Sequence, residues 1–546
     1  MWHKARTFRN PLASAIVVIL ALWLLKTYTH IHLDKLRIPA SVTFSTPKSV
    51  DKYLKAVSGL ATKDYDKLAV SGFWNDGLIS ECESHKHDAM LGVQPSFDLQ
   101  DNLIRAVQSL SAYTQIDRAF QDQQSRNASL TFEGFVEANW AELAGSGVWL
   151  PEFQIYLSVS RLIYYPSGDL AVPTISFLRG RIFDSEWNHL DQYTLDWDGE
   201  IISFPCIFNL PVEWHEGAAF LGPEDPRVVV EEGIQGAEPV IVFNMMSEQL
   251  GWRRAMWMHR PFSNLTAPLT IRGEQPQNAE KNWAPFFDEG DSFRSTEGDI
   301  KRDPTISLSR GPSHHLNFVY SLQPLRILRC QLLHGHCDWA YKQEPEPVHP
   351  LPLSLSLKRA PNPGVRGDMR GGTNFVAVHQ SDPAIRLWIG FPRTHVDGAC
   401  PQSESLYRPE LVILANSGSE FHVVYASEAL TFGTAVLAEE DVEAPCGDGR
   451  ILIPNGIVRW EQDRHDLMHL AVSVGDRTTQ VLRIRGVSKL ISSLPYLSEW
   501  RHTDGPDGEP WGRRWSKVGG EIVGCSVITA MNMKMNSSQN TGEYEG

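Results

Sequence analysis

Hydrophobic positions follow three successive patterns along the chain. The first is an unbroken apolar run, Pro11 to Leu25, preceded by Lys4, Arg6 and Arg9 and closed by Lys26. A helix of that length reaches about 22 Å, short of the ~30 Å hydrocarbon core of an average bilayer but suited to the thinner membranes of the early secretory route. No small-x-small cleavage site follows it, and Trp23 and Tyr28 suit a membrane interface. The pattern predicts a cytoplasmic tail over 1–10 and a transmembrane signal anchor over 11–28. A cleaved signal peptide is the alternative. Either one delivers the rest of the chain to the secretory lumen.

A short stem over 29–50 leads to the second pattern, which predicts a helical region over 51–145. Its clearest stripe is Leu99, Leu103, Val107 and Leu110, at three- and four-residue steps. Near residue 150 the period changes. Phe153, Ile155, Leu157 and Val159 alternate with Gln154, Tyr156 and Ser158, which is the period of a strand. Further strands are predicted at Ile175–Leu178, Ile201–Phe204, Val228–Val230, Val240–Phe243, Leu316–Tyr320, Leu411–Ala415, His422–Tyr425, Ile451–Ile453 and Met468–Val474, separated by Gly, Pro, Asn and Asp. Residues 146–525 therefore read as a mainly β domain, sandwich or propeller, with no repeat sharp enough to choose between them. Residues 345–368, rich in Pro and Gly, read as a loop, and the polar residues 526–546 as a disordered tail.

Composition narrows the function. Apolar residues make up 42% and charged residues 21% of 546, enough for a sizeable core, and the net charge of −15 argues against binding nucleic acid through its phosphates. Asn127, Asn264 and Asn536 head glycosylation sequons, in keeping with a luminal domain. Seven dispersed cysteines, with no CxxC pair, predict up to three disulfides and at least one free thiol in an oxidising compartment. Cys330 and Cys337 are the nearest pair.

Four segments carry candidate chemistry. In Gly222-Pro223-Glu224-Asp225-Pro226-Arg227, two carboxylates and a guanidinium precede a strand, and Pro226 keeps Asp225 out of helix. A cation beside a carboxylate holds it ionised, as a general base requires, although the same residues also make an ordinary charged turn. Lys281, Asn282 and Trp283 combine a cation, an amide and an aromatic face, as a sugar or phosphate site needs. Arg370-Gly371-Gly372-Thr373 pairs a guanidinium with glycines that let a ligand approach the backbone. His314-His315 and His334-Gly335-His336 lack the carboxylate that would complete a metal set, so no metal site is assigned. Asp196-Trp197-Asp198 matches a pattern that binds a cation and a sugar-nucleotide diphosphate elsewhere, but Asp198-Gly199 between two apolar runs reads as a hairpin turn.

Taken in order, the stretches Gly222–Val228, Glu280–Phe286, Asn317–Tyr341, Arg370–Thr373 and Phe391–Pro409 resemble the fungal β-1,2-mannosyltransferase family of yeast cell-wall mannan synthesis. That family is in turn distantly similar to the inverting β-mannoside phosphorylases, which share the Glu-Asp-Pro-Arg signature. The resemblance implies a five-bladed β-propeller with Asp225 as the catalytic proton-transfer residue. It implies substrate contacts from Glu224, Arg227, Lys281, Asn282, Trp283, His314 or His315, Arg370, Thr373, Arg393, His395, Tyr407 and Arg408.

The implied reaction moves mannose from GDP-mannose to a mannose 2-hydroxyl of mannan or a related glycan, with inversion. No cofactor is required when Arg and Lys supply the positive charge, and a divalent cation is compatible but not indicated. The implied setting is a Golgi or other secretory-pathway membrane, with the catalytic domain luminal. The alternatives are a phosphorylase or hydrolase on the same scaffold, or a sugar-binding propeller without catalysis.

Overall fold

The computed structural model describes residues 65–77, 82–99, 101–110, 114–215, 217–288, 311–343, 366–379, 385–401, 404–417, 420–463, 465–494 and 511–538. The expected anchor and stem lie outside them. Among the described residues no helix is long and apolar enough to cross a membrane.

The described chain opens with a hairpin, β1 (Asp66–Trp74) and β2 (Lys86–Asp98). Three short helices follow: α1 (Leu103–Gln108), α2 (Thr114–Arg126) and α3 (Phe132–Asn139). Asn102 caps α1 by accepting from Arg105 N–H at 3.0 Å, and Thr131 caps α3 by accepting from Gly134 N–H at 3.1 Å.

The first sheet then forms from β3 (Trp140–Leu150), β4 (Ile155–Tyr164), β5 (Ile175–Phe183) and β8 (Cys206–Ile207), with the hairpin β6 (Tyr193–Trp197) and β7 (Glu200–Phe204) inserted before β8. Every residue of β4 is buried, because it lies mid-sheet with a packed layer on each face. The second sheet is β9 (Glu224–Val229), β10 (Val240–Met246), β11 (Arg254–Arg260) and β12 (Leu265–Pro268). The third runs β13 (Thr270–Ile271), β17 (His336–Lys342), β16 (Leu325–Gln331), β15 (His315–Leu322), β14 (Ala284–Phe286) across its width.

The rest of the chain supplies β18 (Arg366–Arg370), β19 (Val376–Val378), β20 (Arg386–Gly390), β21 (Arg393–Asp397), β22 (Leu406–Pro409), β23 (Val412–Ser417), β24 (Glu420–Ser427), α4 (Glu439–Glu443), β25 (Leu452–Glu461), β26 (Leu467–Val474), β27 (Gln480–Arg485), α5 (Val487–Ser493) and α6 (Trp511–Ser538). Strands β18, β21 and β22 form a small sheet. The others join the opening hairpin in a nine-stranded sheet ordered β19-β20-β23-β24-β1-β2-β27-β26-β25.

The arrangement is propeller-like. Four sheets of four or more strands occur among the described residues, rather than the five separate blades expected. The reason is the opening hairpin. β1 pairs with β24 and β2 pairs with β27, so two runs of strands are welded into one sheet.

Around the centre, edge strands of neighbouring sheets are stitched together. Val228 N–H donates to Ser146 Oγ at 3.1 Å, joining β9 to β3. The guanidinium of Arg227 donates to the carbonyl of Gly372, and Phe375 N–H donates to the carbonyl of Pro285 at 2.9 Å. The Asn374 amide donates to the carbonyl of Ile457 at 3.2 Å and accepts from Ile457 N–H at 2.8 Å, which ties the segment before β19 to β25. Gly456 then abuts β3, where an added Cβ would stand 2.5 Å from Ser146 Oγ. A side chain at Gly456 would thus collide with Ser146, so glycine permits the close approach of β25 to β3 there.

Two further expectations need correction. Residues 66–74 and 86–98 are strands, not helix, and β3 already begins at Trp140. Val70, Phe73, Leu91 and Val93 are buried, and the strands pair with β24 and β27, partners from the far end of the chain that local periodicity cannot reveal. Residues 526–538 belong to α6, not to a disordered tail. Ser526, Val527 and Ala530 are buried, and a Cys82–Cys525 disulfide ties the helix to the segment before β2. Two more disulfides join Cys330 to Cys337 and Cys400 to Cys446, leaving Cys206 free. Residues 345–365 of the expected Pro- and Gly-rich loop lie outside the described residues, and the strand β18 begins at Arg366.

Candidate active site

The start of β9 carries the densest chemistry. β9 and β10 pair from Val240↔Val229 to Val242↔Arg227 and resume at Asn244↔Glu224. Asp225 and Pro226 therefore oppose Phe243 alone, as a β-bulge that re-aims the Asp225 side chain. Asp225 takes φ +50°, a left-handed backbone that is costly for a non-glycine residue and that tends to occur where a site over-determines it.

The bulge points Asp225 into a cavity that it lines with Arg227, Asn244, Met256, Asn282, Trp283, Gly371 and Gly372. Burial would push the Asp225 carboxyl up. The guanidiniums of Arg393, Arg161 and Arg227 and the Lys281 ammonium outweigh it and hold the carboxyl below its ordinary value. Those cations come from β21, β4, β9 and the loop before β14, so tertiary structure assembles the field.

Each neighbour is itself positioned. Glu224 is buried, 2.9 Å from Arg254 and 3.4 Å from Arg161. Burial raises its pKa, opposed by those two guanidiniums. Arg393 donates to Asn282 Oδ1 at 2.9 Å, and Asn282 has φ +66°. Gly371 leaves room there, since a Cβ on it would lie 2.9 Å from Asn282 Cβ and 3.1 Å from Arg393 Nη1. Burial lowers the Lys281 pKa, as do the cations Arg254 and Arg370, while Asp225 and Glu224 raise it. Arg370 is exposed and paired with Asp368. The His395 ring stacks on Tyr407, with centroids 4.5 Å apart and planes at 13°, and its Nε2 lies 3.0 Å from Asp397.

A second carboxylate, Asp476, feels the same groups. Burial raises its pKa, as does the charge of Asp225, opposed by Arg393, Arg161 and Arg450. It lies in the turn between β26 and β27, which docks on β3 where Gly145 N–H donates to Thr479 Oγ1 at 3.1 Å. Two carboxylates thus share Arg161 and Arg393 while their pKa values are pushed in opposite directions, an arrangement typical of acid–base sites.

A profile of the β-mannosyltransferases matches residues 81–257 and 254–509, most of the chain. The chain belongs to the β-mannosyltransferase family. It is 30% identical over 457 residues to β-mannosyltransferase 2 of Komagataella phaffii, covering 81% of this chain and 64% of that protein. It is 30% identical over 474 residues to β-mannosyltransferase 4 of the same species, covering 84% of each. The chain thus spans a little under two thirds of the first relative. Among solved structures, it is similar to one from a study of the GH130 mannoside phosphorylases and of glycoside hydrolases in that family that target β-1,2-mannosidic linkages in Candida mannan. The TM-score is 0.36, with 11% identity, over 63% of this chain and 84% of that one.

The β-mannosyltransferase fold gathers most, but not all, of the residues singled out in the sequence. Asp225, Arg227, Asn282 and Trp283 line the cavity, and the charges of Glu224, Lys281, Arg370 and Arg393 reach Asp225, His395 or Tyr407 beside it. Trp283 is buried and donates to Glu280 at 3.2 Å, so it forms a wall and not an open stacking platform. Thr373 is fully buried. Its hydroxyl accepts from Phe391 N–H at 2.9 Å and donates to the carbonyl of Asn374 at 2.6 Å, which makes it a loop brace with no surface for a substrate. Arg408 is also buried. It donates to the carbonyls of Tyr407, Gly449, Arg450 and Pro445, and so holds the segment before β25 in place.

His314 and His315 lie at the far end of β15. The row at the cavity end pairs Val319 with Ala284, whereas His315 pairs with Gln331 and faces Arg329. Among the described residues no group of three or more His, Cys, Asp or Glu is arranged to hold a metal ion. Asp196-Trp197-Asp198 forms the predicted hairpin, with Asp198 and Gly199 both at positive φ.

Sequence reasoning missed Arg161, Arg254, Asn244 and Asp476. Arg161 had a readable signal, as the one charge in the strand stretch Ile155–Tyr164. Asp476, in Gly475-Asp476-Arg477-Thr478, looks like any polar turn.

Asn127 is exposed after α2, its Oδ1 accepting from Ser129 N–H and Ser129 Oγ–H at 3.2 and 2.7 Å. Asn264 is exposed in the turn before β12, and Asn536 falls in the last turns of α6.

Proposed function

We propose that this protein is an inverting β-1,2-mannosyltransferase that uses GDP-mannose. The observation that carries the reading is Asp225, a carboxylate held ionised by four cations and aimed into a cavity. A 2-hydroxyl of an acceptor mannose attacks the anomeric carbon of the donor from the face opposite the diphosphate. The new C–O bond forms as the bond from the anomeric carbon to phosphate breaks. The hydroxyl proton passes to Asp225, directly or through a neighbouring sugar hydroxyl, and GDP leaves. General-base assistance of this kind contributes roughly 10²–10⁴-fold in rate.

In this reading Lys281, Arg370 and Arg393 offset the negative charge that develops on the diphosphate. The α-linked donor then gives a β-linked product. The acceptor is a mannose-terminated glycan such as cell-wall mannan. We further propose that the apolar run at Pro11–Leu25 anchors the enzyme in a secretory-pathway membrane with the β domain luminal.

The test is incubation of the purified protein with GDP-mannose and a mannan oligosaccharide, followed by linkage analysis. New β-1,2-mannose, lost in Asp225→Asn, is expected. Product formed from mannose 1-phosphate, and none from GDP-mannose, would overturn the proposal in favour of a phosphorylase.

A further inference from the structure

One wall of the site continues outward as a strip of aromatic rings. Trp283, which lines the cavity, meets Tyr320 with centroids 5.4 Å apart, and Tyr320 meets Trp339 edge-on at 5.1 Å. Trp283 is buried, whereas Tyr320 and Trp339 are half-buried. The rings come from three separate segments of the third sheet. Trp339, Leu328, Phe318 and Pro285 form one row across β17, β16, β15 and β14, which sets Trp339 level with the strand that follows Trp283.

Polar groups edge the strip. Gln277 donates to the Tyr320 hydroxyl at 2.8 Å, and the Trp339 indole donates to Glu274 at 2.6 Å. Lys342 stands 4.3 Å from the Trp339 ring centroid and donates to Glu274 at 2.8 Å. Apolar ring surface bordered by planar amide and carboxylate groups suits a sugar, which presents a C–H face and a rim of hydroxyls.

Charge distinguishes this wall from the surroundings of Asp225. Along the strip Glu274 pairs with Lys342 and feels Arg326, and Glu280 feels Arg253, so its charges offset one another. Around Asp225 the cations Arg393, Arg161, Arg227 and Lys281 gather. A diphosphate is drawn to those cations, while an uncharged oligosaccharide meets no penalty on the strip.

We infer that Tyr320 and Trp339, continuing outward from the buried Trp283, form the acceptor-side binding strip, seating the uncharged mannose units that lie beyond the one that reacts. The inference rests on the transferase reading and adds which side of the cavity each substrate takes.

Binding without turnover tests it. Mannotetraose and methyl mannoside are titrated calorimetrically, with no donor present, into the wild-type protein, Trp339→Ala and Trp339→Phe. Trp339→Ala should weaken tetraose binding about tenfold, and Trp339→Phe should recover most of the loss. Equal tetraose affinity in wild type and Trp339→Ala overturns the inference, as does a tetraose that binds no more tightly than methyl mannoside. Should Trp339→Ala fail to fold, the Trp339 indole N–H signal of the wild-type protein, assigned against Trp339→Phe, must shift on adding tetraose, and a signal that stays put overturns the inference. Because no donor is present, a protein that transfers no mannose still reports on the strip, and a failed strip leaves the transfer assay standing.

Discussion

At the scale of the residue, Asp225 combines a strained backbone with a crowded field of charge. Its sign is opposite to that of its neighbours, since burial leaves Glu224 and Asp476 raised while the cations leave Asp225 lowered. Replacing it with Asn removes the proposed base and keeps the volume, so on the proposed mechanism transfer should fall by about 10²–10⁴-fold in kcat while affinity for the proposed donor GDP-mannose changes far less. Linkage analysis and donor titration check the two halves separately. Arg393 is the largest cationic influence on Asp225. Arg393→Gln therefore raises the Asp225 pKa, and the acidic limb of the kcat/KM profile moves to higher pH, because the base works only when ionised. An acidic limb that stays in place would break the link between these two residues. Burial raises the Asp476 pKa, so this carboxylate holds its proton to higher pH than Asp225 does.

At the scale of the element, short segments rather than whole strands set the site. The bulge at Asp225-Pro226 aims the proposed base, and the loop 371–375 braces it from the other side. Gly372 has φ +90°, and a Cβ there would stand 1.9 Å from the carbonyl oxygen of Phe391. Its own carbonyl accepts from Arg227. Gly372→Ala should therefore lower thermal stability and activity together, by about 1–3 kcal/mol or more of unfolding free energy, read by denaturant titration beside the transfer assay.

Much of this level was legible in the sequence. Pro226 restricts Asp225, Asp198-Gly199 marks a hairpin, and the alternation from Ile155 onward marks β4. What was not legible depended on partners. Leu103 and Val107 lie in α1 as their spacing predicts, but Leu99 precedes the helix and packs in a different cluster, against Tyr156 and Val481. The residues of β1 carry no stronger helical or strand signal than their surroundings until β24 supplies an edge to pair with.

At the scale of the molecule, the two ends of the described chain are fastened to each other. The Cys82–Cys525 disulfide spans 443 residues of sequence and holds α6 against β24 and β18. Val527 and Met531 pack on Gly367 of β18, whose last residue is Arg370. Cys82→Ser should cost about 2–5 kcal/mol of stability, measured by chemical unfolding.

Buried histidines set a second global property. Burial lowers the pKa of His259 to about 4, of His422 to about 4 and of His469 to about 3. The unfolded chain keeps the ordinary value near 6.5, so between about pH 6.5 and 4 it binds protons that the fold excludes. Stability accordingly rises with pH across that window, by up to about 1.4 kcal/mol per pH unit for each group, and falls on acidification. His469→Gln should flatten the slope, and unfolding midpoints compared at pH 7 and pH 4.5 decide it.

The sequence by itself determined the β character of most of the chain and the identity of Asp225 as the group to watch. It also determined the family, through short motifs in a fixed order. These are local properties, carried by period, by turn residues and by neighbours within a few positions. Only the tertiary structure decided that β1 and β2 weld two runs of strands into one sheet, that α6 is a packed helix, and that Arg161 and Asp476 come close to Asp225 while Thr373 and Arg408 brace backbone and His315 sits at the far end of β15. The physical reason is common to all of them. A charge or an apolar face takes its role from what it is buried against, and here those partners lie in other sheets, far away along the chain.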